Sequence, residues 1–207
     1  MLTAVTNPST ITHPEQHLCW KTLRHRSAGS FRLFDAEWVE RQHPRTGEVA
    51  EFLVLHTPVW VNVIPITPTG NVVMVRQYRH GIDAVTLEFP GGVASEGEDP
   101  AEAAMRECSE ETGYSSQPQK LSLLGVQRPN PAFMSTQCLS YVWRDCQLYS
   151  NPHWDAHEVI EVVEIAPETV DHLIAIGHIQ HSIILAAWAL YRLQVRPVEH
   201  CVGGCDG

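Results

Sequence analysis

The chain has too little positive charge to present a broad face to a polyanion: 14 lysines and arginines stand against 24 aspartates and glutamates, a formal net charge of -10. A nucleic-acid backbone or an anionic membrane surface is therefore not expected as a partner. Long apolar runs are also missing. The most apolar stretch, residues 183–190, falls far short of the ~20 residues that a membrane span requires. Residues 1–16 mix Thr, Pro, Asn and His and lack the basic start and apolar stretch of a secretory signal, so the expected compartment is the cytoplasm. No paired CxxC occurs among Cys19, Cys108, Cys138, Cys146, Cys201 and Cys205, which argues against a zinc ribbon. Most are expected to be reduced packing residues. Cys201 and Cys205 with His200 form at most a weak metal clip in a Gly-rich tail. Internal repeats and extended low-complexity segments are absent too.

What is present is enough apolar material, 43% of 207 residues, for a sizeable core. With a surface this acidic, any phosphate site needs bound cations or a small cluster of arginines.

The pattern from residue 18 to 63 is one of short strands, with residues 31–34 and 36–39 ahead of a turn at His43-Pro44-Arg45-Thr46-Gly47 and the strand signal resuming at 51–55. Residues 59–66 and 72–75 are richer in β-branched side chains, and Pro68-Thr69-Gly70-Asn71 between them predicts an antiparallel pair. The clearest helix opens at Asp99, a capping residue, with Pro100 in the first helical position and Glu102 as capping-box partner, and stops at Gly113. Strands return from Leu121, at 139–143 and at 159–165, before a helix over 179–193. Ile183, Ile184, Ala187, Trp188 and Tyr191 recur there at the spacing of a face packed on a sheet.

On the helix after Asp99, Glu107, Glu110 and Glu111 sit at i, i+3 and i+4, on one side of the cylinder. Like charges so placed oppose each other by roughly 0.2–0.5 kcal/mol per pair. A hard divalent cation between their oxygens would offset that, magnesium first and manganese as a possible substitute. The plain alternative is a solvated acidic face. Pro90-Gly91-Gly92, just before the helix, offers a loop free of side chains whose carbonyls could face the same ion. Arg106 has Glu102 and Glu110 four residues to either side and Glu98 within reach, so it can brace loop against helix.

Residues 92–114 resemble the Nudix box, Gly-x5-Glu-x7-Arg-Glu-U-x-Glu-Glu-x-Gly-U, where U is a bulky apolar residue. Gly92, Glu98, Arg106, Glu107, Glu110, Glu111 and Gly113 occupy the fixed positions. Cys108 and Tyr114 stand at the U positions, Cys108 being smaller than the usual Leu, Ile or Val. The resemblance implies an α/β fold, a Nudix α/β/α sandwich with a mixed sheet, preceded by a small antiparallel β section. The expected divisions are 1–58 for that section, 59–197 for the Nudix domain and 198–207 for a tail. The resemblance also implies a metal site of Glu107, Glu111, the Gly91 carbonyl and Glu110 as a further or water-mediated ligand, with Glu98 and Arg106 structural.

Val75-Arg76-Gln77-Tyr78-Arg79 ahead of Thr86-Leu87-Glu88-Phe89-Pro90-Gly91-Gly92 is similar to the ADP-ribose pyrophosphatase branch, which implies hydrolysis of ADP-ribose or a related nucleotide sugar. Arg79, or its rival Arg76, is then the candidate clamp for the diphosphate. Pro129 and Phe133 belong to the expected substrate-binding set, from the segment Arg128-Pro129-Asn130-Pro131-Ala132-Phe133. That segment departs from the Pro-Gly-Phe type sequence of the branch. Glu158 is the candidate catalytic base, with Asp155 and His157 as neighbours that could replace it. It completes a catalytic set with Glu110 and Arg106. Glu88 either contacts a metal-bound water or finishes a strand. A homodimer built through the front section is implied, where Trp38, Trp60 or Phe31 could stack on a base or simply pack. A sensor that keeps the fold and binds a nucleotide sugar without cutting it is the rival from another class.

Overall fold

The computed structural model describes residues 16–154 and 156–195. Asp155, together with His200, Cys201, Cys205 and the expected tail, lies outside the described residues. The described residues form two compact units, one within Met1–Thr57 together with Asn130–Ser135 and one within Pro58–Pro129 together with Thr136–Gly207.

The first unit is an antiparallel sheet of β1 (Lys21–Ser30), β2 (Asp35–Gln42) and β3 (Val49–His56) in that order. The expected turn after β2 is present: Gly47 takes φ 75° and the His43 ring accepts the Arg45 and Thr46 N–H groups at 3.1 Å each. Residues 31–34, expected as a strand, are instead the turn between β1 and β2. The Phe31 N–H donates to the Phe34 carbonyl at 2.9 Å, and the Ser30 hydroxyl donates to Asp35 at 2.5 Å. Strand β1 carries mostly polar, exposed side chains, so hydrophobic patterning does not reveal it, while Phe31-Arg32-Leu33-Phe34, which mimics a strand, brings Phe31 against Phe34 at the turn. Asn130–Ser135 joins this unit by a parallel bridge from Met134 to Leu55.

The second unit is built on β4 (Trp60–Ile66), β5 (Val72–Arg79), β6 (Ala84–Glu88), β7 (Gly91–Val93), β8 (Tyr114–Ser115), β9 (Leu121–Gln127), β10 (Cys138–Arg144), β11 (Gln147–Leu148) and β12 (Ile160–Ile165). Its helices are α1 (Pro100–Thr112), α2 (Pro167–Ala175) and α3 (Ser182–Val195). Seven strands form a mixed sheet in the order β12-β5-β4-β10-β9, with β6 beside β5 and β7 beside β4. β4 and β10 run parallel. β8 and β11 pair separately.

Successive side chains of a strand point to opposite faces, and β4 shows the consequence. Val61 and Val63 pack with Ala103, Ala104 and Cys108 of α1 and with Tyr141, Trp143 and Cys146. Ile64 and Ile66 pack on the other face with Val142, Val170, Ile184, Ala187, Trp188 and Tyr191. Two apolar layers, one under α1 and one under α2 and α3, make the expected sandwich. Helix α1 has the expected bounds, with Asp99 Oδ1 accepting the Ala101 N–H at 2.7 Å and Gly113 left-handed at φ 75°. Glu102 makes no reciprocal capping bond among the described residues. Helix α3 starts at Ser182, three residues later than the periodicity predicts; Ile179 packs into the core ahead of it, its N–H bonded back to the Leu173 carbonyl of α2. Helix α2 was not foreseen. Among the described residues no helix is long and apolar enough to cross a membrane.

Trp188 is 3% exposed, lies 5.1 Å from Tyr191 ring to ring and donates its indole N–H to Asp171 at 2.7 Å. Trp188→Ala is expected to cost about 3–5 kcal/mol, mainly through the cavity it leaves, with the lost hydrogen bond to Asp171, which stays paired with Arg192, adding to it. Urea denaturation measures it, and a loss below about 1 kcal/mol would mean that α3 is not a core element.

Candidate active site

The site begins where β7 meets α1. Gly91 pairs with Asn62 and Gly92 with Val61 across β4, so close that a Cβ on Gly91 would lie 2.2 Å from the Val61 carbonyl oxygen. A Cβ on Gly92 would lie 2.5 Å from the Glu107 carboxyl carbon. Glycine at both positions lets the helix carboxylates rest directly on loop backbone. The Gly91 N–H donates to Glu111 at 2.9 Å.

Arg106 organises the rest. Its Nε and Nη2 grip both oxygens of Glu98, at 2.8 and 3.0 Å, and Nη1 donates to Glu107 at 2.9 Å and Glu110 at 3.0 Å. Nη2 also donates to the Val93 carbonyl at 3.3 Å. Glu98 further accepts the Ser95 N–H at 2.8 Å, and its carboxyl is lowered to about 2, by Arg106 first and that backbone bond second. Glu110 remains half exposed, at 46% of its side chain.

Glu107 and Glu111 behave in the opposite way. Burial raises the Glu107 carboxyl, against the pull of Arg106, and Glu110 and Glu158 add to the rise. Burial also pushes Glu111 up to about 8; the Gly91 N–H opposes it, and the nearby charges of Glu107 and Glu158 reinforce it. Burial first and neighbouring carboxylates second thus disfavour the ionised forms of Glu107 and Glu111, on oxygen donors that suit a hard divalent cation. Among the described residues no three His, Cys, Asp or Glu side chains are already grouped as a metal centre. The geometry gives the reason: Glu107 and Glu110 turn toward Arg106, and Glu111 turns toward Gly91.

Glu158 lies in the loop before β12, exposed, near enough to Glu107, Glu111 and Arg79 to shift all three. That loop is fastened to the end of α1. Tyr149 and Ser150 N–H groups donate to the Gly113 carbonyl, the His153 N–H to the Glu110 main-chain carbonyl and the Trp154 indole N–H to the Glu111 carbonyl at 2.9 Å.

Arg79 reaches the same cluster, but its side chain is held by Glu88 through two parallel bonds of 2.7 Å. Arg76 is not brought there: it pairs with Glu161 at 3.0 Å on an exposed strand surface. Pro129 and Phe133 fall in different units. Phe133 lines an open cavity of about 460 Å³ in the first unit with Trp20, Arg41, Phe52 and Met134. Glu88 neither simply finishes a strand nor stands with the stripe. It is 2% exposed and also accepts from Thr86 at 2.6 Å and from His181 at 2.9 Å. Those bonds, led by Arg79, outweigh burial and hold its carboxyl well below the ordinary range.

The NUDIX domain model matches residues 56–186, and the chain belongs to that family. It is 25% identical over 181 residues to the ADP-ribose pyrophosphatase of Bacillus subtilis (strain 168), covering 85% of this chain and 96% of that one. It is 35% identical over 94 residues to the methanol dehydrogenase activator of Bacillus methanolicus, covering 45% of this chain and 50% of the other. The crystal structure of an ADP compounds hydrolase superposes with a TM-score of 0.75 at 23% identity, over 85% of this chain and 94% of that one, which supports the same fold.

In metal-free protein the folded state keeps a proton on Glu111 to about pH 8, whereas the unfolded chain releases it near the ordinary glutamate value. Stability therefore falls as pH rises between those two values. Glu111→Gln cannot ionise and keeps an oxygen for the Gly91 N–H. With chelator present it is expected to melt with wild type at about pH 4 and several degrees above it at about pH 8. Thermal denaturation at both pH values checks this, and identical melting at both would place the carboxyl in water.

Proposed function

We propose that the protein hydrolyses the diphosphate bond of a nucleoside diphosphate linked to a second group, with ADP-ribose as the leading substrate, in a divalent-cation-dependent reaction. The observation that carries this is the proximity of Glu107, Glu111 and Glu158, close enough for their charges to act on one another, with Arg106 consumed in bracing and Arg79 the nearby cation. Homology to pyrophosphatases of ADP compounds supports the substrate class.

Glu107 and Glu111 would hold the cation, with Glu110 and the Gly91 carbonyl completing the shell; magnesium is favoured and manganese able to replace it. The ion supplies Lewis acidity toward the phosphate oxygens. Arg79 donates to the diphosphate and Arg106 keeps the stripe in register with the loop. Glu158 takes a proton from the attacking water as its oxygen bonds to phosphorus and the bridging P–O bond breaks, giving AMP and ribose 5-phosphate. Pro129 and Phe133 remain candidates for the substrate's far end, and Arg76 gives way to Arg79 as the clamp. We place the protein in the cytoplasm and as a homodimer; the exposed Phe31 and Leu33 of the β1–β2 turn and Val49 and Leu53 of β3 support the dimer.

Product analysis with magnesium across ADP-ribose, GDP-mannose, UDP-glucose, diadenosine polyphosphates and NADH tests the reading. AMP is expected chiefly from ADP-ribose, and faster cleavage of another compound would overturn the specificity while leaving the mechanism. Binding of ADP-ribose without cleavage would favour the sensor. Glu107→Gln and Glu111→Gln are each expected to lose turnover by about 100-fold or more while remaining folded. Glu158→Gln is expected to lose about 10²–10⁴-fold, and unchanged turnover would move the base elsewhere.

A further inference from the structure

Glu88 is buried with all four of its lone-pair positions engaged. Oε1 accepts from Arg79 Nε at 2.7 Å and from the Thr86 hydroxyl at 2.6 Å; Oε2 accepts from Arg79 Nη2 at 2.7 Å and from His181 Nδ1 at 2.9 Å. An ionised carboxylate cannot donate, so Nδ1 of His181 carries the hydrogen whatever the state of Nε2.

The arrangement uses two of the five N–H donors of Arg79. Its other edge, Nη1 with the second hydrogen of Nη2, makes no bond among the described residues. That edge is a planar fork of the kind that matches two phosphate oxygens. A fork serves only if its plane is fixed, and the plane is set by the carboxylate it leans on. Thr86 steadies one oxygen of that carboxylate from β6. His181 steadies the other from the start of α3, where its own carbonyl accepts the Leu185 N–H at 3.0 Å, and the helix is fixed in the core through Ile183 and Ile184.

We propose that His181 is a positioning residue for the substrate diphosphate: it locks Glu88, and through Glu88 it orients the free edge of Arg79. The inference rests on the hydrolase reading above and adds to it a residue 93 positions from the carboxylate it serves. With the histidine removed, one acceptor position of a buried carboxylate is unfilled, the carboxylate turns to find another donor and the guanidinium turns with it. Substrate affinity should suffer before the chemical step, because the cation cluster and Glu158 are untouched.

Three variants at this position test it, assayed with ADP-ribose and magnesium. His181→Ala is expected to raise KM about tenfold with kcat changed by less than about twofold, the loss of one hydrogen bond to a charged group. His181→Asn, whose amide nitrogen occupies the place of Nδ1, is expected to recover most of the KM; His181→Gln, whose amide is one carbon further out, is not. Equal behaviour of Asn and Gln, a loss confined to kcat, or a fall in melting temperature with KM unchanged would each overturn the role. Calorimetric binding of ADP-ribose and of inorganic pyrophosphate separates this inference from the reading it rests on. If wild type cleaves nothing but binds either probe, the hydrolase reading fails, and the order of affinities wild type, Asn, then Ala still supports His181. Absence of both cleavage and binding in wild type overturns both.

Discussion

Two of the three carboxylates on the α1 stripe are tied to the loop ahead of the helix by a single guanidinium set among them. Arg106 spends its donors on Glu98, Glu107, Glu110 and the Val93 carbonyl, so loop, strand end and helix share one brace. The brace is only partly exposed, where hydrogen bonds to charge are stronger than at an open surface. Its effect is selective. Glu98 is neutralised on both oxygens, Glu110 is touched on one, and Glu111 is left to a lone backbone N–H. The brace does not reach Glu111, whose carboxyl burial pushes up to about 8, with the charges of Glu107 and Glu158 adding to the rise.

The most legible parts of the molecule were those governed by neighbours in sequence. Asp99, Pro100 and Gly113 mark the ends of α1 because capping is decided within a turn of the helix, and the stripe of Glu107, Glu110 and Glu111 follows from helical spacing alone. β4 was legible as a strand, and its neighbours in the chain as a pair, from β-branched residues and one turn. Features that depend on distant partners were not legible. His181 offers no pattern that could have tied it to Glu88, and Trp154 none that could have tied it to the Glu111 carbonyl. The aromatic pair within residues 31–34 misled because a ring contact can form in a turn as well as in a strand. Arg76 and Arg79 are equal as sequence, yet one faces Glu161 at the surface and the other a buried carboxylate. Helix α2 carried a readable sign, Pro167 at its first position, that hydrophobic periodicity alone passed over.

The two glycines of the loop work by omission. At Gly91 the missing side chain admits the backbone of β4, and at Gly92 it admits the Glu107 carboxyl, so strand pairing and charge placement are met by adjacent residues of one short strand. The buried Glu88 lies three residues earlier on the same path. Polar groups on a few consecutive residues are thus sorted by depth: one carboxylate fully enclosed and paired, the next region stripped of side chains altogether.

The small sheet is assembled from two separated stretches, its three strands and the six residues Asn130–Ser135 that bridge back to Leu55. A unit made this way has no single cut point. A gene fragment ending the first unit at residue 57 would leave a strip of it inside the other, and one starting at residue 58 would carry that strip with nothing to pair with. Any rearrangement that exchanged the front sheet would have to change the connection between β9 and β10 in the same event, which ties the inheritance of the two halves together more firmly than a linker would.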